Sequence, residues 1–180
     1  NDKRRLETEV VDNVVFTRKY KDVTNYSDGS PLIRYSEMVL AAAEANARLG
    51  NTGVALTQLN SVRNRALADP LTQAYTGTSF ATASDLVLAI LKERRIEFIC
   101  EGKRWGDIHR LLNDDIAPTT GIPAKVRNGF PAVGSYTLGT PFTGTLTAPI
   151  PSTDRRYLWP IPLQETNNNP TLKAQQNPGW

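Results

Sequence analysis

Apolar positions recur at helical spacing over three stretches of the chain. In "DGSPLIRYSEMVLAAAEANARLGN" (28–51), Tyr35, Met38, Ala42, Ala45 and Leu49 take the three- and four-residue steps of one helix face. Ser30 suits the N-cap, Pro31 the first helical position, and Gly50 the C-terminal close. A second helix over about 53–68 repeats the rule with Ala55, Leu59, Val62 and Ala66, and Asp69-Pro70 stops it. The short link makes the two an antiparallel hairpin spanning 30–68. In the third stretch, Thr82 and Asp85 form a capping-box-like start. Leu91, Phe98, Trp105 and Leu112 then fall seven apart with Ile108 between, which predicts the buried stripe of one long helix over 82–112. Gly102 and Gly106 loosen its middle.

The rest lacks that period. "VVFTRKY" (14–20) alternates and is β-branched, so it predicts a short strand in an otherwise irregular first thirty residues. Residues 113–157 alternate prolines with glycines and predict a long irregular loop that covers something. The prolines of 158–180 predict an extended, turn-rich tail. The small residues of 41–47 and the proline after the second helix resemble a single tetratricopeptide unit. One unit cannot bury its own face and needs neighbours. The fold class is therefore mainly α: a helical hairpin plus a long helix with extended irregular loops.

Composition narrows the classes. At 180 residues, with 39% hydrophobic and 22% charged positions, the chain has room for one domain with a real core. No apolar run approaches the ~20 residues that span a bilayer. The net charge of +3 comes from 21 basic residues mixed with 18 acidic ones, which leaves no nucleic-acid footprint. The single cysteine, Cys100, excludes an internal disulfide framework and a multi-cysteine metal site. Inside the third helix it reads as a small buried hydrophobe. His109 is the only histidine, reads as a partly exposed helix residue, and leaves no histidine-based metal cluster. No cofactor is expected. The opening "NDKRRLETEV" carries no signal-peptide pattern.

The chemistry concentrates in "LKERRIEFICEGKRWGDIHRLL" (91–112). Glu93, Glu97 and Glu101 recur every four residues and share one side of a helix. Paired carboxylates are the machinery of glycoside hydrolysis, so a glycosidase built on two of them is one reading. The other is structural. Arg94–Glu97, Glu101–Arg104, Arg104–Asp107 and Asp107–Arg110 are opposite-sign pairs at three-residue spacing. The first helix carries a matching band of Arg34, Glu37, Glu44 and Arg48. Buried charges must be paired, and a catalytic carboxylate avoids a permanent arginine partner. The structural reading wins, and Trp105 reads as core beside it.

These residues also carry a resemblance. "LIRYSEMVLAAAEA", "LNSVRNRA", "ILKERRIEFICEGKRWGDIHRL", "WPIP" and "NPTLKAQQNPGW" resemble, in order and spacing, the carboxy-terminal part of the SusD/RagB family. The pattern falls on Arg34, Glu37 and Ala43–Ala45, then on Asn60, Arg63, Arg65 and Ala66. It continues through Glu93–Arg95, Glu97, Glu101, Gly102, Arg104, Asp107 and Arg110 to Pro160–Pro162 and Gln176–Trp180. Family members are several times longer, so the chain is expected to be a carboxy-terminal region whose amino-terminal portion and lipid anchor lie elsewhere. The resemblance implies a mostly helical tetratricopeptide-like scaffold and a non-enzymatic lipoprotein on the extracellular face of the outer membrane. Such a protein captures glycans, or sometimes peptides, and delivers them to a SusC-like TonB-dependent transporter barrel.

A helical adaptor that binds a protein instead of a nutrient is the remaining class. Within the irregular loop the candidate ligand-contacting aromatics are Phe130, Tyr136 and Phe142. No family motif places a ligand there, and packing against the scaffold is the reading that takes precedence.

Overall fold

The computed structural model describes residues 2–11, 14–22, 24–126, 142, 144 and 146–180. It falls into two compact units. Unit 1 is Asn1–Asp107 with Asp115–Ala117, and unit 2 is Ile108–Asp114 with Pro118–Trp180.

Unit 1 is a helical bundle with a small hairpin. A 3-10 turn, Lys3–Glu7, leads into β1 (Thr8–Val11), which pairs antiparallel with β2 (Val14–Thr17) in the register Thr8↔Thr17 to Val11↔Val14. The strand expected at 14–20 is therefore shorter, and its partner is a segment read as irregular. Helices α1 (Tyr35–Arg48) and α2 (Thr52–Arg63) form the expected hairpin, tied by the Asn46 amide donating to Gln58 Oε1 at 3.1 Å. Gly50, at φ +81°, closes α1 in the left-handed conformation that glycine adopts without penalty. A short α3 (Pro70–Gln73) starts where only a stop is expected, because Asp69 caps it by accepting from Leu71 N at 3.1 Å. Proline at a first helical position costs no hydrogen bond.

α1 departs from its expected boundaries and face. It begins after Arg34, whose backbone stays extended (φ −142°, ψ 160°), and not at Ser30-Pro31. It buries Ser36, Leu40, Ala43, Glu44 and Ala47. The expected stripe points away: Tyr35 is 83% exposed, and Met38 and Leu49 are exposed as well. An alanine-rich helix offers two faces at the same spacing, and the partner helices decide between them. α2 buries Ala55, Leu59 and Val62 as expected, and Ala66 follows in a 3-10 turn.

α4 (Ala83–Glu97) packs on both helices of the hairpin, and Leu40, Leu59, Val87 and Ile90 are fully buried where they meet. Each such side chain contributes roughly 1.5–3 kcal/mol over its exposed state. The capping box forms: Thr82 Oγ1 accepts from Asp85 N at 3.1 Å, and Asp85 Oδ2 accepts from Thr82 N at 2.9 Å. The single long helix does not. Cys100 (φ +61°) and Gly102 (φ +75°) turn the chain left-handed, and α5 (Lys103–Arg110) starts afresh. The heptad register is lost across the break. Phe98 and Ile108 stay buried, whereas Trp105 is 38% exposed and is not core. Cys100 sits exposed in the turn and not buried in a helix. No helix among the described residues is long and apolar enough to cross a membrane.

The described residues of unit 2 have little periodic structure. β3 (Gly121–Ile122) pairs antiparallel with β4 (Ile150–Pro151), and a bridge joins Val126 to Leu146. Gly121 is required: at φ +140° an added Cβ would lie 2.2 Å from Ile150 O. Ile108, Ile122 and Tyr157 form the core, with Leu112 and Ile150 against it. The expected loop 113–157 is thus a narrow ladder at its two ends, and residues 127–141 lie outside the described residues. The tail is not wholly extended. It holds α6 (Leu163–Asn168) and α7 (Pro170–Lys173), because Pro162 and Pro170 stand at helix starts, where proline is tolerated.

Candidate functional site

The three carboxylates on α4 and the turn after it are each held by two or three cations. Glu97 is buried, and its Oε1 accepts from Arg34 Nη1 at 2.6 Å and from Arg65 Nη2. Its Oε2 accepts from Arg4 Nη1 at 2.9 Å. Glu93 takes Arg4 Nη1 at 2.5 Å and pairs with Arg63 at 3.5 Å. Glu101 accepts from Arg34 Nε at 2.9 Å and from Lys19 Nζ at 2.5 Å. Arg34 also donates Nη2 to the Glu97 carbonyl at 2.7 Å, which ties the start of α1 to the end of α4.

The electrostatics follow from this crowding. Burial pushes the Glu101 carboxyl up, but hydrogen bonds and charge from Arg34 and Lys19 outweigh it and leave it below its ordinary value. Asp2 is held low by its hydrogen bonds from Arg4. Burial, then the charges of Arg34 and Arg4, push the Arg65 guanidinium down. A general acid needs the reverse, a carboxyl held neutral by an apolar site. A carboxylate gripped by two or three cations is built to stay ionised. A cavity of about 510 Å³ opens beside Glu97 and Glu101, with Lys3, Arg4, Lys19, Arg34 and Arg65 in its wall.

Of the residues expected to form the charge network, the structure joins Arg34, Glu97 and Glu101 directly. Arg94 reaches past Glu97 to Asp107, Nε to Oδ2 at 3.2 Å, bridging the break between α4 and α5. Phe98 lies beneath both arginines, 4.7 Å from Arg34 and 5.4 Å from Arg94. Glu37 pairs with Lys103 at 2.7 Å, and Glu44, buried on α1, with Arg48 at 3.0 Å. Arg104 forms neither the expected pair with Glu101 nor the one with Asp107 among the described residues; burial and then Arg95 push it down, with Asp107 opposing. Arg110 belongs to unit 2. Arg4, Lys19, Arg63 and Arg65 were not expected in the network. Arg63 and Arg65 had a signal in the "N-x-x-R-x-R-A" motif, whereas Arg4 and Lys19 had none.

The other motifs act as locks. Asn60 brackets the backbone of Tyr75, donating Nδ2 to its carbonyl at 2.7 Å and accepting its N–H at 3.2 Å, while Arg63 covers the ring at 4.3 Å. In unit 2, Gln176 does the same to Ile161 of "WPIP": Oε1 accepts its N–H at 2.8 Å and Nε2 donates to its carbonyl at 3.0 Å. Asn177 Nδ2 donates to Trp159 O at 2.5 Å, and Trp180 Nε1 to Arg155 O at 3.0 Å. His109 is half-buried as expected, stacked on Tyr157 at 4.3 Å with Nε2 3.0 Å from the Tyr157 carbonyl oxygen. Phe142 is half-buried with its ring against Gly144, and Phe130 and Tyr136 lie outside the described residues.

The chain is similar to known proteins over almost its whole length. The chain matches the SusD family over residues 8–180. It is 30% identical over 151 residues to SusD-like protein P2 of Formosa agariphila, covering 82% of this chain and 25% of that protein. It is 38% identical over 82 residues to SusD-like protein P38 of the same organism, covering 44% of this chain and 16% of that one. A SusD-like protein from Bacteroides fragilis, solved by crystallography, superposes with a TM-score of 0.55 at 26% identity, covering 89% of this chain and 28% of that one. The chain therefore spans a quarter or less of the length of these two relatives. With the match running through both units, the chain belongs to the SusD family.

Proposed function

We propose that this chain is the scaffold-forming part of a non-catalytic protein that captures glycans at the cell surface for uptake. In this reading the intact protein is lipid-anchored on the extracellular face of the outer membrane. It hands its ligand, an oligosaccharide or in some cases a peptide, to a SusC-like TonB-dependent barrel. Family membership supports the class. The observation that carries the non-catalytic part is Glu97, with Arg4, Arg34 and Arg65 on one buried carboxylate. An acid or nucleophile in a glycosidase must change its protonation or its bonding during the cycle. Glu97 instead spends both carboxylate oxygens on arginines, Oε1 on Arg34 and Arg65 and Oε2 on Arg4.

Incubating the intact protein with oligosaccharides, with binding followed by calorimetry and products by chromatography, tests this. Binding without cleavage is expected. Cleavage that Glu97→Gln abolishes while leaving the fold intact would overturn it. Capture of a β-barrel from detergent-solubilised outer membrane tests the partner, and capture of soluble proteins alone would favour the adaptor reading.

A further inference from the structure

The cavity beside Glu97 holds more positive charge than its carboxylates use. Lys3, Arg4, Lys19, Arg34 and Arg65 line it against Glu7, Glu97 and Glu101. The groups immediately behind, Asp2, Glu93 and Arg63, offset one of the two surplus charges and leave the other.

That surplus has an address. Arg4 is divided among Asp2, Glu93 and Glu97, and Arg34 and Lys19 are committed to Glu97 and Glu101. Arg65 is the third cation on a carboxylate that two others already satisfy. It donates Nε to the Val62 carbonyl at 3.3 Å and Nη2 to Glu97, and its Nη1 has no partner among the described residues. Its side chain is 56% exposed, so these donors stand at the cavity's edge. Lys3 makes no ion pair among the described residues either, and the Asp2–Leu67 backbone bridge runs its segment alongside Arg65 and Ala66. Burial, then the charges of Arg34 and Arg4, push the Arg65 guanidinium down, with Glu93 and Glu101 opposing.

We propose that this cavity binds the oxyanion of an acidic saccharide, a uronate carboxylate or a sulfate ester, between Arg65 and Lys3. A guanidinium with free N–H groups meets either oxyanion in a fork of charge-assisted hydrogen bonds. The volume of about 510 Å³ lies within the range of small-molecule sites, about 300–1,000 Å³, so sugar rings can follow the anion inside. The choice of a saccharide as carrier rests on the glycan-capture reading, and the choice of an anion does not.

The test is calorimetry on the intact protein with sodium glucuronate, sodium sulfate and glucose, against sodium chloride at matched ionic strength. Glucuronate and sulfate should bind, and glucose should not enter this site. Lys3→Gln with Arg65→Gln should weaken the anions at least tenfold, while Lys3→Arg with Arg65→Lys should keep most of the affinity. Lys3→Gln alone, which removes no ion pair, should give a measurable part of the loss with an unchanged melting temperature. No anion binding beyond chloride, or equal affinity in the double glutamine variant, would overturn the site. If neutral oligosaccharides still bind that variant while anion binding never depended on it, the cavity inference fails and the glycan reading stands. If sulfate binds through Lys3 and Arg65 but no saccharide binds at all, the glycan reading fails and the oxyanion site stands.

Discussion

In unit 1, Glu97 gathers Arg4, Arg34 and Arg65 onto one buried carboxylate, whereas in unit 2 Gln176 holds Ile161 through neutral amide contacts. The two locks answer different problems. Three helices and an amino-terminal hairpin already satisfy their own backbones, so what remains to be fixed in unit 1 is their mutual register. Long-range ion pairs do that, since each charge accepts only a few positions for its partner. The described segments of unit 2 have few ladder hydrogen bonds, so their backbone groups outside those ladders are the liability. A side-chain amide that both donates and accepts closes one residue completely. The residues that look most like an active site and those that look like a mere terminal tail therefore do the same kind of work.

That contrast predicts unequal sensitivities. Glu97→Ala should cost the most, roughly 3–5 kcal/mol, because it removes the buried carboxylate that Arg4, Arg34 and Arg65 share and unties α4 from all three. On a domain of this size the melting temperature should fall by roughly 6–20 °C. Gln176→Ala should cost less, about 1–3 kcal/mol, by leaving the Ile161 N–H and carbonyl unmet. Hydrogen exchange should place that loss within 158–180 and leave α4 protected. Equal losses spread over both units would erase the distinction between the locks. Arg104→Ala should cost about 1 kcal/mol, since that arginine is half-buried, crowded by Arg95 and close to Asp107. A melting-temperature drop matching Glu97→Ala would show Arg104 to be a full member of the network.

Much of unit 1 was legible in the sequence. The buried face of α2, the Thr82–Asp85 capping box and the Gly50 terminus follow from local rules, because each involves residues within a few positions of one another. Two failures share a cause. On α1 the chain offered Tyr35–Leu49 and Leu40–Ala47 as equally spaced stripes, and only the position of α4 chose the second. From Leu91 to Leu112 a perfect heptad was cut by two left-handed residues, Cys100 and Gly102, so Trp105 lost the register that predicted its burial. Of the charge network, the matching band on the first helix was legible and Arg34 does meet Glu97, whereas the pairs three apart gave no hint of Arg4 reaching Glu93. No periodicity encodes such pairs. In unit 2 the function of "QNPGW" became visible only once Ile161 stood opposite Gln176.

A smaller effect should appear with pH. The Glu101 and Asp2 carboxyls sit below their ordinary values in the folded chain, so each binds fewer protons folded than unfolded. Their contribution is present above the unfolded pKa and is lost as pH falls through the folded one. Unfolding midpoints should therefore decline below about pH 4. Glu101→Gln should flatten that decline, and an unchanged acid limb would show that Arg34 and Lys19 do not stabilise the ionised form.

The central claim, that the α4 carboxylates are scaffold and not catalytic machinery, is tested most directly by Glu97→Gln in the intact protein. Thermal unfolding, oligosaccharide binding and product analysis belong on the same samples. The account predicts a lowered melting temperature, saccharide binding that follows the folded fraction, and no hydrolysis product from either form. An unchanged melting temperature together with abolished saccharide handling would contradict it.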